Sequence, residues 1–334
     1  FFRMKYLLLS LIAISTAFGQ TDHFSDIKWK ERDSDHFMMR AYKTNHDPPR
    51  KYGKRVWKEM TEILPSLIED FEKGGFRTPN GAIASKDEKS FKFTVYLMAD
   101  GETYHKCLRK DAQRYNWDLD RQNLLKRTGN YRDPRNRYLV ICKVDALSSG
   151  GGQEREKIPL FVHSTASTFL CSQARKSSLP LWMGAGMGYY VENEIFKQCQ
   201  VLYLDFKKYY ASEDGRADAI EGGTLGPEDS WARAVRKLCK KGKRISLNGV
   251  LNTKVTTLTP NESGYIFALT SFLLSDDLKK KKYREFVTAI RNLKPNQKGE
   301  LEITEDLLLD TYNYEDVDTF ETEWYAYLES TKFK

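Results

Sequence analysis

Beyond its first residues, this sequence holds no apolar run approaching the roughly 20 residues that a membrane-spanning helix needs, so the mature chain is expected to lack a transmembrane segment. It has no C-x-x-C pair. Its five cysteines, Cys107, Cys142, Cys171, Cys199 and Cys239, are widely spaced, which argues against a metal knuckle or a thioredoxin-like motif. Whatever pairs form in an oxidising compartment, an odd count leaves at least one cysteine over. The glycine cluster at Ser148–Gly152 comes with neither a G-x-G-x-x-G pattern nor a Walker lysine, and reads as a linker. No basic helix or aromatic-basic motif accompanies the net charge of +8, so no nucleic-acid partner is expected. The charge is spread along the chain, with clusters at Lys237–Arg244 and Lys279–Lys282, and reads as solvated surface with a mild attraction for anions. No internal repeat stands out.

What is present suits a folded protein. The 334 residues are 40% hydrophobic and 13% aromatic, enough apolar surface to offset chain entropy in one large domain or two modest ones. At the N-terminus, Met4 and Lys5 precede an apolar run from Tyr6 to Ile14, then Ser15, Thr16, Ala17, Phe18 and Gly19. That is the charged, apolar and small-residue order of a secretory signal. Cleavage is expected after Gly19, with residues 1–3 an over-extended start and the product periplasmic or secreted. No cysteine near Gly19 suggests a lipid anchor.

The periodicity predicts two short strands over Ile27–Tyr42, turned at Ser34 and Asp35, and then one amphipathic helix over Tyr52–Phe71 ended by Gly74 and Gly75. Strands follow at Phe91–Met98 and Tyr138–Val144, with a short helix at Glu102–Arg109. The span Asp111–Arg137 reads as a polar, turn-rich excursion. From Ile158 the pattern turns helical: Leu160–Ser172, Leu181–Glu194, Trp231–Leu238, Ser263–Leu274 with Asn261 as its cap, Tyr283–Leu293 and Asp316–Leu328. Strands first and helices afterwards argue an α+β fold, a small mixed sheet with helices at residues 20–152 and a mainly helical part at 153–334.

Two segments carry the most specific signal, Ile158–Leu170 (IPLFVHSTASTFL) and Leu179–Glu192 (LPLWMGAGMGYYVE). Together they resemble the core of the gluzincin metallopeptidases, above all the exported bacterial peptidase-MA-like families. There one helix carries H-E-x-x-H and the next opens as P-x-W-x-x-E-G-x-A-x-Y. In such a motif, two His at i and i+4 share a helix face and a metal, the Glu between them activates the metal-bound water, and the second helix supplies a third ligand. Placed on this sequence, the resemblance puts His163 at the first His, Ser164 at the catalytic Glu, Ser167 at the second His and Ala185 at the third-ligand Glu.

Two of three ligands and the base are therefore replaced, which implies no bound zinc and no zinc-peptidase chemistry. Glu192 and Glu194 lie seven and nine residues past Ala185, roughly 10 to 13 Å along a continuous helix, too far to stand in for it. The resemblance places His23, His36, His46 and His105 elsewhere. A new pair of His163 and Ser167 would need a third group to orient the base, and an oxyanion hole.

The resemblance implies a retained scaffold of Pro180, Trp182, Gly186, Tyr189 and Tyr190, and an old substrate groove lined by His163, Trp182, Tyr189 and Tyr190. The functional expectation is an exported pseudopeptidase that binds a peptide, a cell-wall fragment or an envelope protein without a cofactor. The alternatives are an active hydrolase with a relocated metal or nucleophile site, and an envelope structural protein working through its charge. Asn261-Glu-Ser263 also matches a glycosylation sequon.

Overall fold

In a computed structural model of the chain, the residues described here are 24–44, 47–73, 92–134, 138–142, 157–176, 179–199, 230–254, 258–294 and 303–334. The expected signal segment, Gly74 and Gly75, the expected linker Ser148–Gly152, His23 and His46 lie outside them. Contacts divide the chain into a short unit, residues 1–30, and a large one, residues 31–334. In the short unit Phe24 starts a turn, its carbonyl accepting from Ile27 N at 3.0 Å and from Trp29 Nε1 at 3.1 Å.

The described residues form five strands and twelve helices, an α+β arrangement with its small mixed sheet on the N-terminal side. The strands are β1 (Lys30–Asp33), β2 (Phe37–Tyr42), β3 (Phe93–Met98), β4 (Asn130–Arg132) and β5 (Tyr138–Cys142). Their spatial order is β1-β2-β3-β5-β4. Strand β3 pairs in parallel with β2 and with β5, while β4 runs antiparallel on the edge of β5. Parallel strands need crossovers. Helices α1 (Pro48–Ile63) and α2 (Ser66–Glu72) make the first, and α3 (Gly101–Tyr115) and α4 (Leu119–Thr128) lie in the second.

Alternation along the strands sends odd and even residues to opposite faces. Phe37, Met39, Phe93, Val95, Leu97, Leu139 and Ile141 join the main core. There they meet α5 (Lys157–Gln173), with Phe37 5.6 Å from Phe161 and Phe93 5.5 Å from Phe169 between ring centroids. The other face carries Tyr138 of β5 and Tyr131 of β4, whose hydroxyls donate to the fully buried Asp111 of α3 at 2.7 and 2.8 Å. A buried carboxylate is tolerable only when its lone pairs are used in this way. Asp133, equally buried, accepts from Tyr115.

Three expectations need correction. The helix expected over Tyr52–Phe71 is two, because Pro65 lacks an N–H and disfavours helical backbone before it; the chain breaks at Leu64 and restarts at Ser66. The excursion expected over Asp111–Arg137 instead completes α3, forms α4 with Asp118 capping it through Arg121 N, and then makes the edge strand β4. The cap of the helix Pro260–Leu273 is Thr259, not Asn261: Thr259 and Glu262 form a reciprocal capping box with Pro260 in the first turn.

The remaining helices are α6 (Leu181–Phe196), α7 (Trp231–Lys240), α8 (Leu247–Leu251), α9 (Pro260–Leu273), α10 (Asp277–Asn292), α11 (Glu305–Tyr312) and α12 (Val317–Glu329). Helix α6 is sandwiched, and its run Gly184-Ala185-Gly186-Met187-Gly188 explains how. Residues 184 and 188 share a face. A Cβ on Gly184 would stand 2.9 Å from Ser167 Oγ, and one on Gly188 2.5 Å from the His163 ring, so that face lies tight against α5. A Cβ on Gly186 would overlap Thr270 Oγ1 of α9 on the other side. Substituting Gly188→Val should therefore destabilise by about 1–3 kcal/mol through overpacking. Gly101→Ala, with nothing within 4 Å of the added carbon, should stay within about 0.5 kcal/mol. Denaturant midpoints of the two variants decide it; equal midpoints would remove the close α5–α6 contact from the account.

Among the described residues, no helix is long and apolar enough to cross a membrane.

A histidine cleft between α5 and the sheet edge

The first helix of the motif pair is α5, apolar almost all round and buried between the sheet and α6. Its polar residues His163, Ser164, Ser167 and Thr168 gather where β4 passes. The register explains the meeting. Tyr131 faces Asp111, so its neighbours Asn130 and Arg132, paired with Ile141 and Leu139, face α5. Asn130 Nδ2 donates to Ser164 Oγ at 3.1 Å. These residues and Leu139 enclose a small cleft of about 160 Å3.

His163 is held from behind. Its Nδ1 lies 2.8 Å from Oε1 of Glu192, a carboxylate with no exposed surface, and the side chain of His163 itself keeps 15% exposure. Tyr189 stands edge-on to the imidazole at 4.8 Å, and Gly188 leaves the space that the ring fills. With Nδ1 engaged by Glu192, Nε2 is the ring nitrogen left for the cleft. A carboxylate holding one imidazole nitrogen so that the other is presented is how proteins orient metal-ligating and catalytic histidines. The spacing argument against Glu192 concerned the place of Ala185 on the helix axis. What it missed is that Glu192 reaches His163 directly, from the side away from the cleft.

Among the described residues the rest of a zinc site is not assembled. Ser164 is engaged by Asn130, and the positions of the second and third ligands hold Ser167 and the half-buried Ala185. Among the described residues no three His, Cys, Asp or Glu side chains converge as a metal site. One imidazole with hydroxyls around it does not fit zinc, which needs three protein ligands and an open position for catalysis. His36 is occupied elsewhere, stacked on Trp57 at 4.0 Å, and His105 sits on α3.

The four residues expected to line one groove are not on one surface. His163 opens on the cleft. Trp182, 1% exposed, packs toward Phe286 at 6.2 Å, and Tyr189, 5% exposed, lies between His163 and Trp231. Tyr190 faces a separate cavity on the far side of α6. An α-helix turns about 100° per residue, so adjacent tyrosines at 189 and 190 cannot share a narrow groove. Burial holds the Tyr189 hydroxyl protonated above its ordinary range. The nearby thiol of Cys199, which donates to Tyr189 O at 3.4 Å, is pushed up by burial and by the Glu192 charge, so it is a structural thiol and not a nucleophile.

Asn130 and Arg132 were not singled out from sequence, and Glu192 was weighed there only as a stand-in for the third ligand. For Glu192 a signal existed: a carboxylate inside an otherwise apolar helix must find a buried partner. For Asn130 and Arg132 there was none, since the strand that carries them has only three residues.

No protein-family model, curated protein or solved structure matches this chain.

Proposed function

We propose that this is an exported, non-catalytic protein built on a metallopeptidase-like helix pair, which binds a peptide or cell-wall fragment at the cleft between α5 and β4. The observation that carries the reading is the His163–Glu192 pair. It keeps an imidazole oriented toward a cleft of hydroxyl and amide groups, in a place where, among the described residues, no second or third metal-binding side chain stands beside it. At about 160 Å3 the cleft is smaller than the ~300–1,000 Å3 of a small-molecule site, so it suits one side chain or acyl group of a longer ligand.

The test is metal content and turnover on the mature protein after dialysis against trace zinc. The expected result is almost no zinc and no cleavage of a mixed peptide substrate, with peptide binding weakened in His163→Ala. About one zinc per chain, lost in His163→Ala, would overturn the reading, because a zinc site needs at least about three protein ligands and these would have to come from elsewhere.

A hydrolase with a relocated nucleophile is the second reading, and Glu192 is what favours it, since it supplies the group that orients the base. Ser167 lies one turn from His163, yet the only hydrogen bond of His163 among the described residues is to Glu192. A fluorophosphonate probe that labels Ser167 in the wild-type protein, and nothing in Ser167→Ala, would establish this second reading and remove the first.

A further inference from the structure

On the side of α6 away from the cleft is a larger cavity of about 870 Å3. Six cationic side chains line it: Lys197 past the end of α6, Arg233 and Arg236 of α7, Lys280 of α10, and Lys332 and Lys334 of the C-terminal turn. Among the described residues of its wall, Glu194 is the one carboxylate side chain, and it pairs with Lys197 at 3.4 Å; the main-chain O of Lys334 accepts from Asn193 Nδ2 at 3.2 Å. Arg236 spends its donors on backbone, giving hydrogen bonds to the carbonyls of Leu328, Ser330 and Phe333 at 3.3, 3.0 and 2.7 Å, and among the described residues it forms no ion pair. Arg233, Lys280, Lys332 and Lys334 form no ion pair among the described residues.

Four separate elements therefore aim like charge into one concavity, an arrangement that raises the local potential and concentrates anions. The hydroxyl of Ser230 adds a neutral donor, and the partly exposed Tyr190 and Tyr327 add aromatic surface to its wall, with the buried Phe333 packed behind Tyr327. The volume is that of a small-molecule site and far exceeds what a single inorganic phosphate fills. We propose that this cavity binds an organic polyanion, a ring-sized body bearing several phosphate or sulfate groups. The cations hold the oxyanions, Arg233 through its planar donor fork and the lysines as point charges, while the aromatic wall takes the ring. This site does not depend on the reading of the His163 cleft.

Titration calorimetry at physiological salt tests it, with inositol hexakisphosphate and a sulfated disaccharide as probes and orthophosphate for comparison. The expected result is saturable one-site binding of at least one of the two ring polyanions, tighter than orthophosphate. In Arg233→Glu/Lys280→Glu, two charge-assisted hydrogen bonds are lost and affinity should fall by about 100-fold or more. Arg109→Glu/Arg114→Glu makes the same change in net charge on α3, whose residues do not line the cavity, and should bind within about twofold of wild type, since salt screens exposed charges that do not touch the ligand. Equal losses in the two double variants would reduce the effect to net charge and overturn the site, as would the absence of saturable binding of either probe to the wild-type protein. Which ring probe binds separates a phosphorylated ligand from a sulfated one.

Discussion

Taken from neutral pH to about pH 11, this protein should unfold in one cooperative step, because its core holds many tyrosines that can ionise only when it opens. Tyr104, Tyr131, Tyr138, Tyr189, Tyr283 and Tyr312 are each no more than 8% exposed. All six are held protonated above the ordinary tyrosine range, in every case mainly by burial. For Tyr131 and Tyr138 the Asp111 carboxylate adds to it, since their hydroxyls donate to that anion.

The direction follows from the sign of the shift. A folded-state pKa above the unfolded one gives stability that is whole below about pH 10 and is lost as pH climbs from there toward the folded value. Each such tyrosine removes about 1.4 kcal/mol per pH unit past 10, so six remove about 8 kcal/mol by pH 11. That is comparable with the ~5–15 kcal/mol that holds a typical domain together. Far-ultraviolet circular dichroism and tyrosinate absorbance should therefore change together. Tyr283→Phe, which deletes one such group, should move the midpoint to higher pH. A gradual rise of tyrosinate signal with intact dichroism up to about pH 12 would mean that these hydroxyls are not sealed in the core.

How much of this was legible depended on which interaction decides each element. The strong periodic signals held: the strand Phe93–Met98, α6, α9 and α12 lie close to where alternation and helical spacing put them, because their burial is set by their own residues. Helices α8 and α11 were not foreseen, and α10 starts at Asp277 and not at Tyr283. Pro65 was legible in principle, and the single helix drawn through it ignored a known breaker. Helix α4 and strand β4 were not, since Leu119–Thr128 is polar and weakly amphipathic and β4 is three residues long. What fixes β4 is tertiary, Tyr131 reaching Asp111 on α3, while α4 starts from a local cap, Asp118 accepting from Arg121 N. The candidate site divides in the same way. His163, Ser164 and Ser167 were legible only through the resemblance to an H-E-x-x-H helix, in which the first and last share a face at i and i+4. Asn130, Arg132 and Glu192 join them only through strand register and the close approach of α5 and α6, which the glycines permit but do not announce.

That division suggests the most demanding experiment on the scaffold. If the helix pair keeps metallopeptidase geometry, the double variant Ser167→His/Ala185→Glu should bind about one zinc per chain, since it would then present three ligands. His163 needs no change, for Glu192 already holds its Nδ1 and leaves Nε2 toward the cleft that Ser167 also lines. Crowding is the main physical obstacle. Ser167 Oγ lies 2.9 Å from where a Gly184 Cβ would be, so an imidazole at 167 has to turn from α6 into the cleft.

Uptake should disappear in His163→Ala and weaken by about 10–100-fold in Glu192→Ala, the usual cost of losing the carboxylate behind a ligating imidazole. Peptide cleavage should stay absent until Ser164→Glu restores a base beside the metal, a change that also releases Asn130 from its bond to Ser164. A folded double variant that takes up no zinc would break the link between sequence motif and geometry. The cleft would then have to be explained by its own contacts, with His163, Glu192 and Asn130 belonging to a binding site that never descended from a metal centre.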